Sequence, residues 1–158
     1  GRSWAKKIMP EWRDIWVLVL LAILAGGTAL LQNRHKPLSV DDIAIRQIIR
    51  EQASAFAAQD GPTAFGFAAP ELQAQFETPG YFMAMIEAHY RPIYFAQKMN
   101  FSTPARPLAR DGDMRMQSVF LVDDKGTSHQ ARYLMQKQPD GSWKIAGCHL
   151  LPSDLIDI

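Results

Sequence analysis

From Ile15 to Asn33 the sequence runs 19 positions without a charged residue, and ten of them are Leu, Ile or Val. A helix of that length rises roughly 28 Å, close to the hydrocarbon thickness of a bilayer. Each Leu, Ile or Val favours insertion by roughly 0.3–0.6 kcal/mol near the centre, on the order of 3–6 kcal/mol together before the polar residues subtract. Leu20 and Leu24 sit inside the run, and Trp12 and Trp16 stand at its N-terminal border, where indole rings favour the interface. The pattern predicts a transmembrane helix over residues 15–36, closed by Arg34, His35 and Lys36. Arg2, Lys6, Lys7 and Arg13 precede the run, against Arg34 and Lys36 after it. This asymmetry predicts that residues 1–14 are cytoplasmic and that everything after the span lies across the membrane. Gly27-Thr28-Ala29 has the small-x-small form of a signal cleavage site, but the apolar run is longer than a usual signal core, so it reads as a retained anchor. Gly26 and Gly27 are either a close-packing patch for another membrane helix or a tolerated glycine pair.

After Pro37 the period changes to that of a helix. Ser39 followed by Asp42 has the form of a capping box with Asp in place of Glu, and Ile45, Ile48, Ile49, Gln52, Ala53 and Phe56 then recur at helical spacing. Asp60-Gly61-Pro62 ends that helix. A short helix is expected over Thr63 to Phe67, a turn or helix from Pro70 to Phe76, and a helix capped by Thr78-Pro79 running to His89 with Phe82, Met85 and Ile86 on one face. Beyond Arg91-Pro92 the period is two. Strands are expected over Ile93 to Ser102, Arg106 to Arg110, Met114 to Asp123, Thr127 to Gln138 and Ser142 to Leu151. Asp124-Lys125-Gly126 and Pro139-Asp140-Gly141 are short enough to make the last three strands antiparallel neighbours. Helices first and a strand meander afterwards predict an α+β domain over residues 37–158, with about three helices packed on one face of a curved antiparallel sheet.

Charge narrows the partners. The chain has 17 Lys+Arg and 16 Asp+Glu, a net charge of +1. Four of the basic and two of the acidic residues precede residue 34, leaving 13 and 14 in the domain. Neither balance suits a nucleic-acid binder, which neutralises phosphates with a basic excess. The single cysteine, Cys148, rules out an intrachain disulfide and any multi-cysteine metal site. No closely spaced histidine pair occurs, so neither a metal nor a cofactor is expected.

Some segments resemble a known family. Ile45-Arg46-Gln47-Ile48-Ile49 with Ala55-Phe56, Ala64 to Pro70, Phe82 to Met85, and most specifically Gln138-Pro139-Asp140-Gly141-Ser142-Trp143-Lys144-Ile145-Ala146-Gly147-Cys148 are similar to the bacterial family called domain of unknown function 4864, over about residues 39–151. The element order resembles the wider nuclear transport factor 2-like group, with its ketosteroid-isomerase-like and SnoaL-like members. That resemblance implies a cone-shaped domain with a pocket between sheet and helices; the span lies outside it, and the apolar run with its flanking charges is what predicts a bacterial inner-membrane anchor with the domain on the periplasmic side. The resemblance implies no activity, because one fold hosts many functions.

His89, Tyr90, Tyr94, Tyr133 and His149 are the polar candidates to line such a pocket. By alternation Trp143, Ile145, Gly147, His149 and Leu151 share one face of the last strand. An isomerase would need a carboxylate base and a donor pair, for which Glu87, His89 and Tyr94 are the nearest candidates. Glu87 and His89 are two residues apart on a helix and point about 200° from one another, so they form no pair. Cys148, adjacent to His149 on a strand, faces away from it and forms no dyad. The leading expectation is therefore a non-enzymatic, single-span accessory or scaffold subunit of a larger membrane complex, with the lipid bilayer and other subunits as partners. A membrane-tethered module for a small apolar ligand is the alternative, and a small isomerase or dehydratase a further one.

Overall fold

The computed structural model describes residues 37–152. The span expected at 15–36, with Trp12, Trp16, Leu20, Leu24, Gly26 and Gly27, lies outside the described residues, as does the apolar end of the tail. Among the described residues no helix is long and apolar enough to cross a membrane.

Helix α1 spans Val40–Ala57. Its start is a full capping box: Ser39 Oγ accepts the Asp42 N–H at 3.1 Å, and the Asp42 carboxylate accepts the Ser39 N–H at 3.3 Å. Asp42 also accepts the Ala105 N–H at 2.9 Å, so the same side chain ties the helix to the loop ahead of the sheet edge. Ile45, Ile49, Gln52 and Phe56 follow on the buried face. Three short helices come next: α2 over Gly61–Gly66, α3 over Pro70–Phe76, and α4 over Pro79–His89. Asp60 caps α2 and Thr78 caps α4, each accepting a backbone N–H three residues on.

The strand expected from Ile93 is instead a one-turn helix, α5, over Arg91–Tyr94. Pro92 sits in its first turn, where a missing N–H costs nothing. A strand would send Ile93 and Tyr94 to opposite faces, whereas both are buried here and the Tyr94 ring packs on Phe56 at 5.6 Å. What remains of that strand is β1, Lys98–Asn100, and the next is only β2, Arg106–Pro107. β3 (Met114–Val122), β4 (Ser128–Lys137) and β5 (Trp143–Leu150) form the antiparallel meander. β1 and β2 both pair with β3, along different stretches of one edge.

Gln117, Val119 and Leu121 of β3, Ala131, Tyr133 and Met135 of β4, and Trp143 and Ile145 of β5 are buried. Together with Ile45, Ile49, Phe56, Phe82 and Ile93 from the helical segments they make one core. The described residues thus form an α+β domain, helices on one face of an antiparallel sheet. The outer side of β5 is closed by the α2–α3 connection, where Ala69 N–H donates to Ile145 at 2.8 Å and Ile145 N–H to Phe67 at 2.8 Å.

β5 carries one irregularity. Leu134 pairs with Gly147 but Met135 pairs with Ile145, which leaves Ala146 without a partner across the ladder. It is a β-bulge, and it shifts the alternation of every residue after it by one.

Candidate ligand cavity between the helices and the sheet

A cavity of about 220 Å³ lies between the two layers. Gln52 and Phe56 of α1, Phe76 of α3, Met85 and Ile86 of α4, and Tyr133 and Cys148 of the sheet are among the residues that wall it. None of its lining residues is charged at neutral pH or carries an imidazole. Gln75 belongs to the lining and is exposed, which places the mouth beside α3. The volume is below the ~300–1,000 Å³ usual for drug-sized ligands, so it suits a smaller molecule.

The bulge determines the chemistry of the inner wall. With unbroken alternation Trp143, Ile145, Gly147 and His149 share a face. With Ala146 as the extra residue, Cys148 comes opposite Tyr133 and turns inward, while His149 comes opposite Arg132 and is exposed. His149 is therefore not a pocket residue. His89 is exposed at the end of α4 and does not line the cavity either, nor does Glu87, two residues earlier and also exposed. Tyr94 is buried against Phe56 and Phe95 rather than in the cavity wall. Of the five candidates, Tyr90 and Tyr133 line the cavity together.

The two polar groups at the sheet end are held neutral chiefly by burial. Burial pushes the Tyr133 hydroxyl well above its ordinary value, and the adjacent Cys148 adds to the shift. Burial pushes the Cys148 thiol up to about 12, against the smaller opposing effect of the His149 backbone and the Tyr133 hydroxyl. Both stay protonated near pH 7 and act as neutral hydrogen-bonding groups, not as base or nucleophile. At pH 8 only about one thiol in ten thousand is ionised. We expect iodoacetamide to leave Cys148 unmodified in the folded chain at that pH and to label it fully in denaturant. Rapid labelling of the folded chain, followed by peptide mass spectrometry, would contradict the burial.

Sequence reasoning missed most of the wall. Gln52, Phe56, Phe76, Phe82, Met85 and Ile86 read as core by their spacing, and nothing local distinguishes a residue facing a cavity from one facing a neighbour. Only the aromatic density of Phe76 to Phe82 hints at it: Phe82 packs on Phe56, Phe65 and Phe76 with ring centroids 5.4–6.0 Å apart.

An antiparallel sheet covered by short helices, with a cavity between the layers, defines the class as an α+β domain. The chain belongs to the family described as domain of unknown function (DUF4864), which matches residues 38–157. No curated protein and no solved structure matches it.

Proposed function

We propose that the chain is a membrane-tethered, non-enzymatic binding module of the nuclear transport factor 2-like type, which holds a small, uncharged, largely apolar molecule in this cavity. The observation that carries the reading is the lining itself: mostly apolar walls with the neutral Gln52, Gln75 and Tyr90 among them, no charged or imidazole side chain, and the neutral pair Tyr133 and Cys148 at the sheet end. Apolar walls supply affinity and the polar pair orients the ligand's single polar end. A charged ligand would lose its hydration without a compensating partner. The uncharged run over residues 15–33 supplies the tether.

Methionine methyl groups offer a direct test, because Met85 lines the cavity while Met114 and Met116 lie on the far face of the sheet. In the full chain labelled at methionine methyls, titration with 1-naphthol, a small neutral phenol, is expected to shift the Met85 resonance saturably and leave Met114 and Met116 in place. A Met85 resonance that never moves, or three that move alike, would remove the reading.

A second reading is a subunit of a larger membrane assembly on the periplasmic side. The Gly26-Gly27 patch inside the apolar run and the exposed Phe120 on the outer sheet face favour it. Gentle extraction from native membranes, sizing and mass spectrometry decide between a large complex of fixed composition and a lone chain.

A further inference from the structure

Two arginines gather on the outer face of the sheet. None of the outward positions of β3 and β4, from Met114 to Val122 and from Ser128 to Gln136 at every second residue, is Asp or Glu. Arg132 stands on this face opposite Ser118 on one side and His149 on the other. Arg106 joins it from β2, opposite Met116. Cross-strand partners project to the same side of a sheet, so the two arginines share one surface with Met116 and Ser118 between them. They border a groove of about 530 Å³ whose remaining walls include Thr103 and Leu108. Among the described residues neither arginine pairs with a carboxylate.

The place of this groove in the chain indicates what occupies it. Asp42 holds the Ala105 N–H, so the loop carrying Arg106 is fastened to the first turn of α1. From Ser39 back to Asn33, the last residue of the uncharged run, the chain is six residues long and reaches at most about 20 Å fully extended. Six large apolar side chains are exposed among the described residues, and Leu38, Val40 and Ile43 flank this helix start while Leu108 lies in the groove wall. The carboxylates nearest by are mostly engaged: Asp41 by Trp143, Arg115 and Lys137, Asp42 by Ser39 and Ala105, and Asp111 by the Asp113 N–H, with Asp113 itself exposed.

We infer that the groove between Arg106 and Arg132 binds the phosphate of an anionic phospholipid headgroup, with Leu38, Val40, Ile43 and Leu108 resting in the interfacial layer beside it. The inference rests on the membrane tether proposed above. Guanidinium groups match phosphate oxygens in pairs, hydroxyls such as Ser118 and Thr103 supply further donors, and apolar residues beside a basic groove suit the boundary between headgroup and acyl chain. A second copy paired face to face would offer Arg106, Arg132 and His149 no carboxylate partner from the outward positions of its β3 and β4, none of which is Asp or Glu.

The test uses the full chain with the photo-crosslinker benzoylphenylalanine in place of Leu108, or in place of Tyr81 on α4 as control. The chain is reconstituted into vesicles of phosphatidylcholine and phosphatidylglycerol in equal parts, or of phosphatidylcholine alone. Lipid adducts are then read by mass spectrometry. We expect a phosphatidylglycerol adduct at position 108 and little at 81. Changing Arg106→Gln and Arg132→Gln together is expected to lower the 108 adduct roughly tenfold or more, since each arginine near an anionic surface contributes about 1 kcal/mol. Both arginines are exposed, so the fold tolerates the change. The phosphatidylcholine-only vesicles give the same answer without any substitution at the arginines, by a weak adduct at 108. Adducts equal at 108 and 81, equal in both vesicle types, or unchanged in the double variant would overturn the headgroup site while leaving the tether standing. A chain that stays out of the vesicle fraction would overturn the tether and the site together.

Discussion

Trp143→Ala is expected to cost the domain about 3–5 kcal/mol, the range for removing a large buried aromatic. The indole is 2% exposed. Its Nε1–H donates to Asp41 Oδ1 at 3.0 Å, and Arg115 and Lys137 stand over its ring at 5.4 and 5.8 Å. One side chain at the start of β5 therefore joins the first turn of α1 to the ends of β3 and β4. Against a total stability of about 5–15 kcal/mol the loss is large, and the urea midpoint of the domain should fall by about a fifth or more. Trp143→Phe keeps the apolar bulk and loses the N–H, for an expected cost of about 1–2 kcal/mol. Equal midpoints for the alanine variant and the native chain would refute this account.

The same junction carries a pH signature. The Trp143 bond holds the Asp41 carboxyl below its ordinary 3.8, against burial and with Lys137 and Arg115 adding to the effect. Burial pushes Asp42 up, and its bonds from Ser39 and Ala105 together outweigh this and hold it below 3.8 as well. A carboxyl whose pKa is depressed on folding stabilises the folded state above its unfolded pKa, and that stability is lost as pH falls through the folded value. The urea midpoint should be flat from neutral pH to about 5 and drop below about 4. In Trp143→Ala part of that drop should vanish, because Asp41 has lost its donor. An acid transition of unchanged steepness in the variant would contradict the assignment.

The second large effect concerns the cavity. Cys148→Phe places a ring in the space beside Tyr133 and is expected to weaken the 1-naphthol response at Met85 by at least about tenfold. Cys148→Ser, which keeps a small polar group there, should change it by no more than about threefold. His149→Phe, at the very next position, should leave it unaltered, because His149 is exposed on the other side of the sheet. If the His149 variant rather than the Cys148 variant abolished the response, the strand would be facing the other way and the bulge at Ala146 would be wrong.

Local signals in the sequence were legible where the physics is local. Ser39 with Asp42 and Thr78-Pro79 satisfy helix-terminal N–H groups within three residues, so these caps are readable without tertiary information, whereas Asp60, expected only to end the first helix, also caps the next at Gly61. Gly126 and Gly141 sit at φ of 78° and 87°, where glycine is the unstrained choice, and both hairpin turns follow from them. Ile93-Tyr94 was not legible as helix, because a proline beginning a helical turn and a proline preceding a strand look alike until Phe56 is known to lie under Tyr94. The bulge was hidden for a similar reason. Ala146 and Gly147 are small enough to suit either face, so the pattern Trp143-x-Ile145 extrapolates smoothly through them to the wrong partner. The cavity wall is drawn from four helical segments and two strands, and its existence depends on how those pieces meet rather than on any one of them.

Ala146 also marks where this domain is open to change. Two neighbouring side chains, a thiol and an imidazole, compete for one inward position, and a single inserted residue decides between them. Loss of that one codon would keep Cys148 opposite Tyr133 in a regular ladder, whereas pairing Ala146 with Leu134 without the bulge would turn Cys148 outward and draw His149 to the inner face, exchanging a neutral, inert wall for one with a titratable base. An uncharged inner wall and one bearing an imidazole are thus separated here by one step of strand register, with the helices, the turns and the rest of the core left as they are.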